Sequence, residues 1–508
     1  MAKVADQYFK LDPWKIIEEG FDPDYSRVSE SIFSLGNEYM GVRGYFEEGT
    51  TCDTLLGSYF NGIYENGRKE EHTAYKGIVT RTHFMVNSVD WLYTRISLDG
   101  EHLDMKTAQM KSFNRMLDMR TGVLTREFVW TTQTGKSVKI TFERFLHMDK
   151  YTEGFQKISF EPVNFSGEVE LTMGLDFNTR HFSEDYAYWK EVKKEAKKTG
   201  AAIIGGTLTS HQRLFSGFEL VSNRDMDATP VEREKFIGFD IKLPLKEGEV
   251  SFVEKLVSNL ADKKMQGSEE ELWNRGWKAM EAQKAEGYDK AMQEQEAFWS
   301  DVWNNFDIQI EGDDKNQQGI RFCIFMLLQT YTGVDTRLNI GPKGFTGEKY
   351  GGVTYWDTEA YCLPFYMATA GQAVARELLV YRYNQLDKAI ENAAKLGFRD
   401  GAALYPMVTI NGEECHNEWE ITFEEIHRNG AIAYAIHNYI RYTGDEQYLV
   451  DCGLEVLVGI ARFWAQRITW SEVRRKYVLL GVTGPNEYEN NVNNNWYTSY
   501  IACWSMRY

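Results

Sequence analysis

Alternating hydrophobic and polar residues mark the first half of the chain as β-structure. Residues Thr125–Trp130 and Ser137–Phe145 alternate in this way and are joined across a turn that contains Gly135, which is the pattern of an antiparallel hairpin. The segment Gly167–Phe177 alternates again. Repeated strands separated by short Gly, Asn and Asp turns are typical of a large antiparallel sandwich, and we expect residues 1–262 to form one.

The hydrophobic period becomes helical after residue 262. In the charged stretch from Ser268 to Phe306, apolar residues recur at helical spacing: Met292, Phe298, Trp299, Val302 and Trp303. We interpret residues 263–312 as a helical linker that packs one apolar stripe on a neighbour. Residues 313–508 then predict helices separated by loops, and the helical segments are 316–332, 358–371, 373–396, 424–443, 446–469 and 495–508.

The helical half predicts an α/α barrel or stack with its site at the loop end. Several of its loops are long and rich in Gly, Asn, Glu and aromatic residues, and long loops between packed helices are usually functional or disordered. The helix predicted at 495–508 ends without a polar cap, Gly or Pro, and about six helices are too few to close a double ring. We therefore expect the chain to contain an incomplete barrel.

Composition narrows the classes of ligand. The 508 residues include 14 Trp, 29 Tyr and 29 Phe, and the formal net charge is −18. This acidity argues against nucleic acids and anionic membranes as partners, whereas neutral sugars are indifferent to it. We find no apolar run of transmembrane or signal-peptide length. The six cysteines form no CxxC pair, so we expect free thiols and a cytoplasmic location.

The loop at residues 344–361 contains a candidate binding wall. Trp356 and Asp357 follow a Gly-rich segment and precede a predicted helix. Asp357 could simply be the N-cap of that helix. Alternatively, Trp356 stacks on a sugar ring while Asp357 accepts hydrogen bonds from two adjacent hydroxyls. Neutral polyols are held in this way because their C–H faces are apolar and their edges are polar.

The loop at residues 411–430 contains six glutamates and two histidines. A metal site is one interpretation, because Cys415, His416 and Glu418 are possible ligands. There is no HExxH motif and no second group of His or Cys residues at ligand spacing, so we expect no metal.

Two further interpretations of this loop remain. A solvated, acidic helix start fits Glu424 and Glu425. It fits Trp419 poorly, because a tryptophan between two glutamates in a loop has little reason to be there unless it covers something. We therefore favour a polar substrate wall at His416–Glu420.

The loop at residues 481–496 contains the candidate acid, Glu487. Glu487 could instead cap the following helix, although Asn493–Asn495 would do that better. Cleavage of a glycosidic bond needs an acid that is protonated near neutral pH, and nearby carboxylates and aromatic residues raise the pKa of a carboxyl group. Three loops that combine aromatic residues with carboxylates favour a sugar enzyme.

Four segments of the chain resemble glycoside hydrolase family 65: Ser31–Gly49, Thr354–Phe365, Glu413–Gly430 and Thr483–Asn495. The resemblance runs along the whole chain. It implies a β-super-sandwich, a helical linker and an (α/α)6 barrel followed by a small β domain. The family includes maltose, trehalose and kojibiose phosphorylases and acid trehalases, and the loop CHNEWEITFEEIHRNG is most similar to that of the maltose-specific members.

The resemblance also implies a reaction and roles for individual residues. The reaction is phosphorolysis of maltose with inversion, which gives β-glucose 1-phosphate and glucose. Glu487 matches the family's general acid, and Trp356 and Asp357 match the wall of the donor glucose subsite. The loop that shapes the acceptor subsite contains four further matches: His416, Asn417, Glu418 and Trp419.

A phosphorylase of this kind needs only one carboxyl group, because phosphate is already an anionic nucleophile. The resemblance implies no cofactor beyond phosphate as co-substrate, and it suggests a homodimer. In the family, the phosphate ligands and a Lys-Gln pair at the donor sugar lie in later barrel helices, so we expect residues 1–508 alone to be inactive. Two alternatives stay open. One is a hydrolase of the same fold that acts on maltose or on another α-glucoside, and the other is a non-catalytic carbohydrate-binding protein. Trehalose and kojibiose also stay open as substrates.

Overall fold

A computed structural model of the chain describes residues 9–67, 79, 82–263, 267–339, 341, 343–415 and 421–508. Contacts divide the chain into two compact units. The first contains the residues up to 63 together with 86–330 and 345–348, and the second contains 64–85, 331–344 and 349–508. Within the described ranges, no helix has the length and apolar character needed to cross a membrane.

Strands dominate the first unit. In chain order, the strands of the described residues are β1 (Phe9–Lys10), β2 (Lys15–Glu19), β3 (Leu35–Gly36), β4 (Met40–Val42), β5 (Ser58–Phe60), β6 (Tyr64–Asn66), β7 (His83–Met85), β8 (Thr94–Leu98), β9 (Glu101–His102), β10 (Gln109–Asp118), β11 (Val123–Thr131), β12 (Ser137–Leu146), β13 (Glu153–Pro162), β14 (Gly167–Asp176), β15 (Trp189–Lys197), β16 (Gly200–Thr207), β17 (Arg213–Ser222), β18 (Asp227–Arg233), β19 (Phe236–Leu245), β20 (Ser251–Asp262), β21 (Thr469–Ser471) and β22 (Lys476–Val478).

The large strands form an antiparallel sandwich, as the alternating pattern predicts. One sheet has the strand order β1-β2-β10-β11-β12-β13-β20-β17-β16-β15, and the other has the order β18-β19-β14-β8-β9. The predicted hairpin is β11–β12, with Phe128 opposite Ile140. The two sheets meet through buried aromatic residues such as Phe218 on β17 and Phe239 on β19, whose ring centroids are 6.1 Å apart.

The helices of the described residues follow in chain order: α1 (Ser26–Ile32), α2 (Glu269–Glu286), α3 (Tyr288–Phe306), α4 (Asp314–Thr330), α5 (Leu363–Thr369), α6 (Gln372–Tyr383), α7 (Leu386–Lys395), α8 (Ile421–Glu424), α9 (His427–Thr443), α10 (Glu446–Tyr448), α11 (Leu454–Arg467) and α12 (Trp496–Arg507). Two π-helical turns, Thr358–Cys362 and Leu449–Gly453, precede α5 and α11.

The charged stretch predicted as one helical segment forms two helices, α2 and α3. Ser268 and Glu271 form a capping box at the start of α2, and Gly287, with φ of +82°, separates the helices in a conformation that glycine adopts easily. The predicted apolar stripe packs inward, since Trp299 and Trp303 are buried. Helices α2, α3 and α4 group with the sandwich by contacts, while the domain boundaries at 262/263 and 312/313 stay predictions.

The predicted helices of the second unit are present but are divided more finely. The segment predicted as one helix at 373–396 becomes α6 and α7, and 446–469 becomes α10, a π-helical turn and α11. Helix α9 lies close to α12: a Cβ atom at Gly430 would come within 2.4 Å of the Ile501 side chain. Glycine at this position therefore allows the two backbones to approach. This packing brings the start of α9 next to the loop that precedes α12.

Candidate active site

Asparagine side chains hold the loop that contains Glu487. Asn494 Oδ1 accepts a hydrogen bond from the Leu479 N–H (3.0 Å), and Asn493 Oδ1 accepts one from the Gly481 N–H (3.0 Å). Each bond gives a partner to a backbone N–H group that would otherwise lack one. The two bonds join the beginning of the loop to its end, which positions the acidic residues between them.

The end of the same loop caps α12. Asn495 Oδ1 accepts a hydrogen bond from the Thr498 N–H at 3.1 Å, so Asn495 is the N-cap, as the sequence predicts. Glu487 is exposed and lies eight residues before that cap. Its carboxyl group is therefore not used for helix capping and is free for another role.

Glu424 connects α8 to this loop through hydrogen bonds. Its Oε2 atom accepts hydrogen bonds from the Thr483 hydroxyl and the Asn491 N–H, both at 2.7 Å. The solvated helix start proposed for Glu424 and Glu425 is wrong, because their exposed fractions are 9% and 1%. The sequence shows two adjacent acids at a helix start, but it does not show that the neighbouring loop covers them.

Glu425 contacts Glu487. The two carboxyl groups are in hydrogen-bond contact, and the charge of Asp357 also acts on Glu425. Burial raises the pKa of Glu425 to about 8, with a further contribution from the Glu487 charge. The protonated form of the Glu425 carboxyl group is therefore favoured near neutral pH.

An aromatic cluster lies beside the carboxyl pair. The Trp356 ring meets the His427 ring edge-to-face at a centroid distance of 4.9 Å, and His427 meets Tyr497 at 5.8 Å. His427 is fully buried, and desolvation lowers its pKa to about 4. The imidazole is therefore neutral at physiological pH and supports the indole of Trp356 without adding a charge.

Asp357 is not a helix cap. It precedes the π-helical turn at Thr358–Cys362, but its side chain makes no capping hydrogen bond in the described residues. The side chain is partly buried, and desolvation raises its pKa. A partly buried carboxyl group that does not cap its helix fits the alternative interpretation, in which Asp357 accepts hydrogen bonds from sugar hydroxyls.

A buried ion pair fixes the segment that presents Trp356 and Asp357. Arg382 on α6 donates two hydrogen bonds to Glu359, from Nε to Oε1 at 2.6 Å and from Nη2 to Oε2 at 3.0 Å. Both side chains are almost fully buried. Bidentate arginine–carboxylate pairs fix orientation as well as distance, so this pair orients the turn directly after Asp357.

Arg428 on α9 fixes the other side of the site. Its guanidinium donates to the backbone carbonyl oxygens of Tyr405 (2.6 Å), Glu425 (3.0 Å) and Thr422 (2.9 Å). The cation therefore holds the backbone around Glu425, and it makes no ion pair with the Glu425 carboxyl group among the described contacts. This leaves the carboxyl pair without a strong neutralising partner.

The structure brings together three of the residues predicted from sequence: Trp356, Asp357 and Glu487. The four predicted residues of the acceptor loop lie outside the described residues: His416, Asn417, Glu418 and Trp419. The metal interpretation depends on two of them and stays untested. The remaining candidate ligand, Cys415, is buried and donates from Sγ to the Glu413 carbonyl oxygen at 3.3 Å.

Sequence reasoning assigned no role in the site to Glu425, His427, Arg428 and Tyr497. A signal was present for the first three, since they lie in the same segment as the predicted wall, an unusually dense run of charged and histidine residues. That run looked like an exposed helix start because its neighbours in space come from the loop before α12, about 60 residues later along the chain.

Family models match both units: "Glycosyl hydrolase family 65, N-terminal domain" over residues 16–302 and "Glycosyl hydrolase family 65 central catalytic domain" over residues 321–508. The chain belongs to glycosyl hydrolase family 65.

Named relatives narrow the class further. The chain is 41% identical to "Maltose phosphorylase" of Bacillus subtilis over 99% of its own length and 66% of the relative's. It is 31% identical to "Alpha,alpha-trehalose phosphorylase" of Thermoanaerobacter brockii and 30% identical to "Kojibiose phosphorylase" of Halothermothrix orenii, covering 100% and 97% of this chain and 67% and 64% of the relatives. The chain thus spans about two thirds of the length of these relatives.

The fold of this chain is similar to a solved structure, that of a protein from the human microbiome with a provisional assignment as a kojibiose phosphorylase. The two structures superpose with a TM-score of 0.94 and share 34% sequence identity, over 100% of this chain and 66% of the other. The order of an antiparallel sandwich followed by a helical region is therefore established by the structure of this chain and by that of a relative.

Proposed function

We propose that the protein is a disaccharide phosphorylase that acts on maltose and phosphate and yields β-D-glucose 1-phosphate and D-glucose. The observation that carries the proposal is the position of Glu487 on a fixed loop, next to the Glu425 carboxyl group and on the same unit as Trp356 and Asp357. The names of three relatives support phosphorolysis of a glucosyl disaccharide. The higher identity to the maltose enzyme, 41% against 31% and 30%, favours maltose.

The proposed mechanism follows from what each group can do. Trp356 stacks on the donor glucose, and Asp357 accepts hydrogen bonds from its hydroxyls. Glu487 donates its proton to the glycosidic oxygen, and the bond between that oxygen and the anomeric carbon breaks. Phosphate oxygen attacks the anomeric carbon from the opposite face, so the product has inverted configuration and the second glucose leaves as an alcohol.

Glu425 does not fit the role of the base in an inverting hydrolase. An inverting hydrolase needs a second carboxylate about 6.5–9.5 Å from the acid, so that a water molecule fits between it and the sugar. Glu425 is in hydrogen-bond contact with Glu487, which is too close for that role and places it on the same side as the acid. An external anionic nucleophile such as phosphate needs no activating carboxylate.

The other elements of the proposal rest on sequence alone. Phosphate is the co-substrate and no further cofactor is needed. The loop from His416 to Trp419 shapes the acceptor subsite and selects maltose. The protein works as a homodimer in the cytoplasm, a location consistent with six free cysteines.

The test is glucose release from maltose, trehalose and kojibiose, each with and without phosphate. It should be made on residues 1–508 and on the longest form that the gene encodes. Release from maltose that requires phosphate and yields β-glucose 1-phosphate supports the proposal. Phosphate-dependent release from trehalose or kojibiose alone would move the substrate assignment to that sugar. Release without phosphate would make the protein a hydrolase.

A further inference from the structure

We propose that Glu425 is a positioning residue that holds the transferable proton at Glu487 through a carboxyl–carboxyl hydrogen bond. The inference rests on the proposed function, in which Glu487 is the acid. It assigns a role to a residue that the mechanism above does not use.

The Glu425 carboxyl group is buried and has few hydrogen-bond donors around it. The exposed fraction of the residue is 1%. Glu425 Oε1 is buried and receives no hydrogen bond from an N–H or hydroxyl group in the described part of the chain. A buried carboxylate without donors is costly, and a proton on the pair removes that cost by making one oxygen a donor to the other carboxyl group.

Two acidic groups that act on Glu425 favour its protonated form, and the Arg428 cation opposes them. Glu487 faces Glu425 from the loop before α12, and the charge of Asp357 acts from the segment before α5. Among the described residues, the Arg428 cation lowers the pKa of Glu425, but its guanidinium donates to three backbone carbonyl oxygens. The neighbouring His427 is neutral, because desolvation lowers its pKa to about 4. The two carboxylates are therefore not neutralised by an ion pair, which favours retention of one proton.

The consequence for the reaction is a supply of protons at the operating pH. A glutamate in water has a pKa of about 4.3, so an isolated exposed acid would be ionised at pH 7. The Glu425 carboxyl group keeps its proton to about pH 8, because burial and the Glu487 charge raise its pKa, and its hydrogen bond with Glu487 makes that proton available to the acid. When Glu487 passes its proton to the glycosidic oxygen, the pair is left with two negative charges, and water later restores the proton.

The experiment is an infrared titration of protonated carboxyl groups on the full chain between pH 6 and pH 9.5, with no substrate present. Wild type should lose one carboxylic-acid signal with a midpoint near pH 8. Glu425→Gln should lack that signal, and Glu487→Gln should move its midpoint to lower pH. Glu489→Gln is the matched control, because Glu489 is an exposed acid on the same loop, and it should behave as wild type. A Glu425→Gln spectrum that keeps the signal would overturn the proposal.

A second measurement is the pH profile of kcat/KM for phosphate-dependent glucose release. In Glu425→Gln the alkaline limb should move about 2 pH units or more toward acid, because the amide cannot hold the shared proton. A limb that stays in place while activity falls would mean that Glu425 has only a structural role. If wild type shows no phosphorolysis, the proposed function fails, and the infrared titration still decides whether the carboxyl pair holds the proton.

Discussion

The indole of Trp356 is supported edge-on by the buried imidazole of His427, with ring centroids 4.9 Å apart. This contact fixes the plane of the tryptophan from inside the protein. We expect the exposed face of the indole to bind the donor sugar, so its loss should weaken substrate binding more than it slows the chemical step.

The prediction for Trp356 concerns binding. Trp356→Ala should raise KM for the disaccharide by about 5-fold to 30-fold, because an aromatic stacking surface contributes roughly 1–2 kcal/mol. Trp356→Phe should recover part of that loss. The measurement is steady-state kinetics at saturating phosphate, and Trp470→Phe is the control, since Trp470 is partly exposed on β21. An unchanged KM in Trp356→Ala would contradict the stacking role.

The buried pair of Glu359 and Arg382 should be important for stability. Glu359→Gln leaves the Arg382 cation buried without a counter-charge, so the free energy of unfolding should fall by about 3–5 kcal/mol. The control is Glu391→Gln, which breaks an exposed pair with Lys388 and should cost at most about 1 kcal/mol. Urea unfolding followed by tryptophan fluorescence measures both. Equal losses in the two variants would contradict the role given to the buried pair.

Glu425 should make stability depend on pH. Its pKa is about 8 in the folded protein and about 4.3 in an unfolded chain. Between these values the folded state keeps a proton that the unfolded state has lost, so the free energy of unfolding falls as the pH rises. Glu425→Gln removes this dependence, so its free energy of unfolding should rise relative to wild type by about 3–4 kcal/mol between pH 5 and pH 8.

The measurement is urea unfolding of both proteins across that pH range. Glu489→Gln is again the control, and its difference from wild type should be independent of pH. A Glu425→Gln difference that is equally flat would show that Glu425 ionises normally in the folded protein.

Much of the fold could be predicted from the spacing of hydrophobic residues, because that spacing differs between strands and helices. The alternation in Thr125–Trp130 predicts a strand, and the strand is β11. The segment 373–396 predicts a single helix, yet it divides between α6 and α7. Its apolar positions continue through the break, so the hydrophobic period contains no sign of it.

The site could be predicted only in part, because its residues come from distant parts of the chain. Trp356, Asp357 and Glu487 stand out by residue type and by resemblance to a family. Glu425 does not, because its burial depends on a loop about 60 residues away, and two adjacent glutamates at a helix start are usually exposed. Glu425 is therefore part of the candidate site because of long-range packing, which the local sequence does not show.

The central claim is that Glu487 is the acid of a phosphate-dependent cleavage. The most direct measurement is glucose release from maltose with and without phosphate, by the longest form of the protein that the gene encodes and by its Glu487→Gln and Glu489→Gln variants. We expect phosphate-dependent release that falls by roughly 10²–10⁴-fold in Glu487→Gln and is unchanged in Glu489→Gln. Release that persists in Glu487→Gln, or that needs no phosphate, would contradict it.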